Sequence, residues 1–194
     1  MEVNNEEQKF LENGERYVAA SSDTKKTVRD LVRAAAEAAG SNMGALYLID
    51  ESLGVLKPAV VIGLPEEYVK GCGDIPLGEQ CCGRAALNNL PWYVEDIWNN
   101  PTFPADAREA ARRAGVRAGF SVPVVNAQGM CIGSLSAHFC APHTPSDHEI
   151  RNHCMFAQLV ALALARDANR TKRPSSPAAR PPKDSDRPTA SGTQ

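Results

Sequence analysis

One stretch of this 194-residue chain limits the fold more than any other: Cys131 to Phe139. Its odd positions, Cys131, Gly133, Leu135, Ala137 and Phe139, are apolar or small, while Ser134, Ser136 and His138 occupy even ones. Such alternation predicts a strand, because successive side chains point to opposite faces of a sheet. One face therefore packs on a core. The other carries two hydroxyls and an imidazole but no Lys or Glu, which a fully solvated face would show. The pattern suits the wall of a cavity; a polar outer face is the alternative. Residues 116–125 read as the preceding strand, joined to it by Asn126-Ala127-Gln128-Gly129. A polar turn ending in glycine between two apolar runs is the strongest hairpin signal in the chain.

The remaining elements follow from periodicity and punctuation. Residues 6–20 and 24–39 read as helices. Asp23 caps the second, which carries Val28, Leu31, Val32 and Ala35 at helical spacing and stops at Gly40. Residues 44–49 form a strand, Asp50-Glu51-Ser52 a turn, and residues 54–62 the returning strand of an antiparallel pair. Pro65 opens a short helix. From Ile75 the chain runs as a loop into a helix near Cys82, which ends around Asn88-Asn89. A short strand at 91–94, a loop at 95–104 holding Trp98 and Phe103, and a helix at 106–114 come next. Ser146 with Glu149 is a capping box for a last helix reaching about residue 168, with Ile150, Cys154, Ala157, Val160, Ala161 and Leu164 as its apolar stripe.

Charge divides the chain. Residues 171–194 hold five Lys/Arg against two Asp, a net of +3, whereas the other 170 residues hold 16 Lys/Arg against 21 Asp/Glu, a net of −5. An acidic body argues against a nucleic-acid-binding face. The basic end has five prolines and no large apolar side chain, so it is expected to be disordered. The expected organisation is an N-terminal helical extension at 1–22, a folded domain at 23–168 and a basic, proline-rich tail at 169–194. No run of about 18 apolar residues is present, so no membrane span is expected. The start is acidic and lacks an apolar run, unlike a secretory signal. The expected location is cytoplasmic, with Cys72, Cys81, Cys82, Cys131, Cys140 and Cys154 as free thiols. None forms a C-x-x-C pair, so a structural zinc site has little support.

Four stretches, taken in combination, resemble a GAF domain. They are Leu77-Gly78-Glu79-Gln80-Cys81-Cys82-Gly83-Arg84-Ala85; Val94-Glu95-Asp96-Ile97 with Pro101; Ala114-Gly115-Val116-Arg117-Ala118-Gly119-Phe120-Ser121-Val122-Pro123-Val124; and Gly133-Ser134-Leu135-Ser136-Ala137-His138-Phe139 with Pro142-His143-Thr144-Pro145-Ser146. The resemblance spans about residues 24–166 and is nearest to the GAF modules of bacterial sensor histidine kinases. It implies an α+β fold: an antiparallel six-stranded sheet, terminal helices on one face, and a ligand pocket under short helices on the other. It does not identify a ligand, because the fold hosts many.

Several candidate chemistries coexist on this frame. The Cys82-Gly83-Arg84 helix start, with Cys81, offers free backbone amides and a positive dipole end to an anion or carbonyl; an ordinary loop-to-helix entry is the plainer reading. Tyr47, Trp98, Phe103 and Phe120 form either an aromatic wall of a pocket or core plugs under the loop. Ser134, Ser136 and His138 line the pocket floor. The free methionine-(R)-sulfoxide reductases are one GAF branch, and Cys82 matches a cysteine of that branch. The branch also needs a nucleophilic cysteine in the loop after Val94-Glu95-Asp96, and residues 99–115 contain none. Bilin attachment would call on the same absent cysteine. His138, His143, His148 and His153 crowd into sixteen residues beside Cys140 and Cys154. However, His148 and His153 lie about 140° apart on a helix, which opposes a shared metal, and only His138 reaches the pocket. There it is either a ligand to haem iron or a hydrogen-bonding partner of another small ligand, with no motif for either, or a satisfied polar group, which is the plainer reading. Glu95-Asp96 caps the next turn or binds Arg117 more readily than it performs acid–base work.

The expected function is therefore a small-molecule-binding sensor without catalytic residues or a resident metal. It would signal in trans to a partner such as a histidine kinase and form a homodimer through its terminal helices. A thiol-dependent sulfoxide reductase is the alternative.

Overall fold

The computed structural model describes residues 4–172. Two helices come first. α1 (Asn5–Ala20) begins at a capping box in which the Asn4 side chain accepts from the Glu7 amide and the Glu7 carboxylate accepts from the Asn4 amide. α2 (Thr24–Ala38) begins at Asp23, whose side chain accepts from the Lys26 amide at 3.0 Å. These caps satisfy amides that a helix start otherwise leaves unpaired. β1 (Met43–Asp50) and β2 (Val55–Ile62) form the first hairpin. α3 (Glu66–Cys72), β3 (Ile75–Pro76), α4 (Gln80–Asn88), β4 (Trp92–Val94), a 3₁₀ turn at Ile97–Asn99 and α5 (Ala105–Arg113) fill the middle of the chain. β5 (Ala118–Val125) and β6 (Cys131–Phe139) make the second hairpin, and α6 (Asp147–Lys172) closes the fold.

The strands form one six-stranded antiparallel sheet in the order β3-β2-β1-β6-β5-β4. This is the expected α+β architecture. The sixth strand, β3, is a two-residue edge piece read above as loop. Two residues cannot show alternation, and Pro76 is tolerated because an edge strand needs no second ladder bond. β5 starts two residues later than expected. The Val116 amide bonds the Ala111 carbonyl and closes off α5, while the Arg117 amide bonds the Phe139 carbonyl.

Two cores lie on opposite faces of the sheet. On one face, α1, α2 and α6 pack on Leu46, Phe120, Val122, Val124, Leu135 and Ala137. α1 lies on α6, with Gly14 against the Leu159 side chain and the rings of Phe10 and Phe156 meeting edge to face at 5.0 Å. On the other face, α3, α4 and α5 cover Met43, Ala45, Tyr47, Leu56 and Ile75. α6 runs on to Lys172, so its last turns take up the first residues of the expected tail. Residues 173–194 lie outside the described residues, and with them the expectations for the tail. Among the described residues no helix is long and apolar enough to cross a membrane.

Candidate functional site

The alternation in β6 sets Ser134, Ser136 and His138 on one face of the sheet. β6 pairs with β1 and β5 so that Met43, Ala45 and Tyr47 stand beside His138, Ser136 and Ser134, with Gly119 and Ser121 on the other side. Every one of these positions is buried. The Ser121 and Ser136 hydroxyls share a hydrogen bond of 2.7 Å, and Ser134 Oγ donates to the Val122 carbonyl at 3.3 Å. His138 is 8% exposed, yet its Nδ1 has no hydrogen-bond partner. Its ring meets Tyr68 of α3 edge to face at 5.7 Å. On the strand side it lies against Gly119: a Cβ there would come within 3.4 Å of His138 Cδ2 and 3.9 Å of Cys81 Sγ.

α4 forms the roof. Gln80, Cys81, Cys82 and Gly83 are all buried. Cys81 Sγ donates to the Gly119 carbonyl at 3.3 Å, tying the helix to β5. Gly83 has a packing role, because a Cβ would stand 2.3 Å from the Pro76 carbonyl of β3. Gln80 takes a φ of 51°, the left-handed region that a non-glycine residue seldom adopts, and its side chain is buried. The strained residue thus stands where the roof begins. The Gln80 and Tyr68 side chains act on the Cys72 thiol, opposing part of the upward shift that burial imposes on it.

Electrostatics on this face are uniform. Desolvation pushes the Cys72 thiol up to about 11 and the Cys81 thiol up to about 12, and raises Cys82 further, so all three are protonated at neutral pH. Desolvation also raises Tyr47 and Tyr68 far above the usual phenol range. The same cause lowers the His138 imidazole to about 4, leaving it neutral. The helix start is less open to an anion than its sequence implies. The Gly78 and Glu79 amides just ahead of it donate to the Gly83 and Pro76 carbonyls, and its first residues, Gln80 to Gly83, are buried.

Of the expected site residues, Tyr47, Cys81, Cys82, Ser134, Ser136 and His138 share this niche. Phe103 is buried in the same core and Trp98 packs against it half-buried. Trp98 is a fixed strut: its Nε1 donates to the Val116 carbonyl at 2.8 Å and the Arg117 guanidinium covers its ring at 4.9 Å. Arg117 also pairs with Asp96 at 2.9 Å, so Asp96 has the capping and ion-pairing role anticipated for it. Phe120 is a correction. It lies on the opposite face, 1% exposed in the helical core, its ring centroid 4.6 Å from that of His153. Adjacent Ser121 faces the niche, so Phe120 must face away. Sequence reasoning missed Ser121, Tyr68, Gln80 and Cys72 as niche residues. Ser121 was detectable: any pairing that keeps Val122 and Val124 on the apolar face of the hairpin sets Ser121 on the same face as Ser134, Ser136 and His138.

The histidines disperse. His143 Nε2 bonds Glu149 at 2.9 Å and its ring stacks on Phe139 at 3.8 Å; His148 bonds Asn152; His153 is buried in α6. Among the described residues no three His, Cys, Asp or Glu side chains are placed to hold a metal ion.

Comparison with known proteins places this architecture. Residues 23–164 match the GAF domain family, and the chain belongs to that family. A domain of a two-component sensor histidine kinase protein from Sinorhizobium meliloti superposes with a TM-score of 0.65 at 20% identity, covering 78% of this chain and 97% of its own. The GAF domain of a phosphoenolpyruvate-protein phosphotransferase from Coxiella burnetii gives 0.68 at 18%, covering 84% of this chain and 95% of that one. The free methionine-R-sulfoxide reductase from Neisseria meningitidis, solved with its substrate, gives 0.64 at 23%, covering 81% and 89%. At these identities the likeness is one of fold. No curated protein matches the chain.

Proposed function

We propose that this GAF domain is a ligand-binding regulatory module, that its ligand sits between α4 and the β1–β6–β5 floor, and that it acts on a partner protein such as a histidine kinase. The observation that carries this reading is the orphaned Nδ1 of buried His138 standing in a row with the Ser134 and Ser136 hydroxyls; His153 Nε2 is orphaned as well, but it packs on Phe120 in the helical core. A buried ring nitrogen without a partner is costly, and a ligand that supplies one removes that cost. Hydroxyls, thiols and phenols gathered on one face of a sheet, beside a strained Gln80, are otherwise hard to reconcile with a plain structural core. The terminal helices would carry the response. A homodimer through them would use the large apolar side chains they leave exposed, Tyr17 and Leu162.

The reductase reading is the weaker one. A thiolate must attack the sulfoxide, and the three niche thiols are held protonated by burial. Residues 99–115 supply no cysteine in their place. Native purification, denaturation and mass spectrometry of released small molecules test the proposal, with an absorption spectrum exposing any haem or flavin. A released compound that rebinds unaltered protein but not a His138→Asn variant is the expected result. Thioredoxin-dependent turnover of free methionine sulfoxide, lost in Cys82→Ser, would replace it.

A further inference from the structure

Resting on the binding role proposed above, we infer that the niche takes an uncharged small molecule that hydrogen-bonds the His138 ring, in preference to an anion, a cation or an amino acid. The buried polar residues of the described chain are Thr27, Gln80, Ser121, Ser134, Ser136, His138 and His153, and no Asp, Glu, Lys or Arg is among them. Five of these belong to the niche face: Gln80 in the roof, and Ser121, Ser134, Ser136 and His138 in the floor. All five are neutral hydrogen-bonding groups.

The nearest charged side chains are engaged at the rim. Arg84 of α4 is half-buried, with its guanidinium 5.3 Å from the Trp92 ring centroid, and its charge acts on Cys81 from the rim. Arg117 is committed to Asp96 and Trp98. Asp74 acts on Lys57, and Glu79 is exposed. Nor do the titratable groups inside supply a charge. His138 is neutral at physiological pH, and the thiols of Cys72, Cys81 and Cys82 are protonated. Just ahead of α4 the Gly78 and Glu79 amides are taken by the Gly83 and Pro76 carbonyls, so they are not free to hold an anion.

A charge buried here would lose its hydration with no charged side chain buried beside it to compensate, an unfavourable case for burying an ion. An amino acid brings both a carboxylate and an ammonium, so it fails twice. An amide, urea, sulfoxide or alcohol loses only hydrogen bonds to water, which the His138 nitrogen and the Ser121–Ser136 pair can replace. The thiols and phenols add polarizable, apolar surface for its carbon atoms.

The test uses the full chain and matched probes followed by the ring ¹⁵N and ¹H resonances of the histidines. Acetamide is the neutral probe; acetate, methylammonium and glycine are its charged counterparts of similar size. Acetamide is expected to shift His138 saturably, leave His143 and His148 unmoved, and bind at least about tenfold more tightly than any charged probe. A His138→Asn variant, which lacks the reporting ring and is followed instead by the backbone amide resonances of Gly119 and Ser136, is expected to lose saturable binding, while the ranking of probes is read on the unaltered chain and needs no variant. Acetate, methylammonium or glycine binding at His138 as tightly as acetamide would overturn the neutral-ligand inference and leave the site standing. No probe of any charge moving His138 would overturn the binding role itself, and the inference with it.

Discussion

The two faces of the sheet are made from the same strands but from different chemistry. Toward α1, α2 and α6 the strands present Leu46, Phe120, Val122, Val124, Leu135 and Ala137, a core of hydrocarbon. Toward α3, α4 and α5 they present Tyr47, Ser121, Ser134, Ser136 and His138 under a roof containing two thiols and a buried amide. The helices differ as well: α6 spans 26 residues and α2 spans 15, whereas α3, α4 and α5 span 7, 9 and 9. Long helices over an apolar face bury much area per ordered residue, which stabilises the fold. Short helices over a face that mixes apolar side chains with hydroxyls and an imidazole bury less area per element and can shift more readily. The division assigns stability to one side and recognition to the other.

The strongest way to break that division is Phe120→Ala. The side chain is buried between His153 and Phe139, at 4.6 and 6.3 Å between ring centroids, and truncation is expected to cost about 3–5 kcal/mol. Urea unfolding measures the loss. Probe affinity at His138, measured well below the new midpoint, should stay unchanged; a loss of binding in the folded variant would mean that the faces are not separable.

Acid titration probes both faces together. Burial holds His138 at about 4 and His153 at about 3, whereas both titrate near ~6.5 in an unfolded chain. Below that value the unfolded state binds more protons, so stability is full above pH ~6.5 and falls as pH falls toward the folded values. By pH 5 each histidine should remove about 2 kcal/mol. Replacing His153 with Phe should abolish about half of this loss and leave the niche probes unaffected. Unfolding free energies at pH 7 and pH 5 check it; an undiminished loss in the variant would show that His153 does not titrate as a buried neutral group.

How far the sequence discloses this division depends on the range of the signal. Alternation over Cys131–Phe139 is local, so the polar face of β6 was readable, as were Asp23 and Asn126–Gly129 as cap and turn. The face of Phe120 was also available from parity with Val122, but aromatic bulk drew the reading toward a pocket wall. Tyr68 and Gln80 were not available. Tyr68 comes from a seven-residue helix too short to display a stripe, and only tertiary packing carries it to His138. Gln80 stands out through a backbone angle that its residue type does not announce. β3 is defined by its pairing with β2 and not by any pattern of its own.

Smaller effects sharpen the contrast on the niche side. Gly83→Ala would place a methyl group 2.3 Å from the Pro76 carbonyl, which belongs to backbone and must itself move. The expected cost is about 1–3 kcal/mol, with α4 displaced from β3. Weaker probe binding in this variant, together with a lower urea midpoint, would tie the seating of the roof to recognition. Unaltered affinity would place the site away from α4.

The subtlest test is Ser136→Ala. Removing one hydroxyl leaves Ser121 Oγ buried without its 2.7 Å partner, at a cost of about 1–3 kcal/mol. Removing both, as Ser121→Ala with Ser136→Ala, leaves no orphan and should be nearly neutral for stability. If the pair is only structural, the double variant should bind acetamide as the native chain does. If it is part of the recognition surface, the double variant should keep its stability and lose affinity. Urea unfolding and histidine-resonance titration on the same samples separate the two outcomes, because a side chain kept for packing alone has no reason to affect one and spare the other.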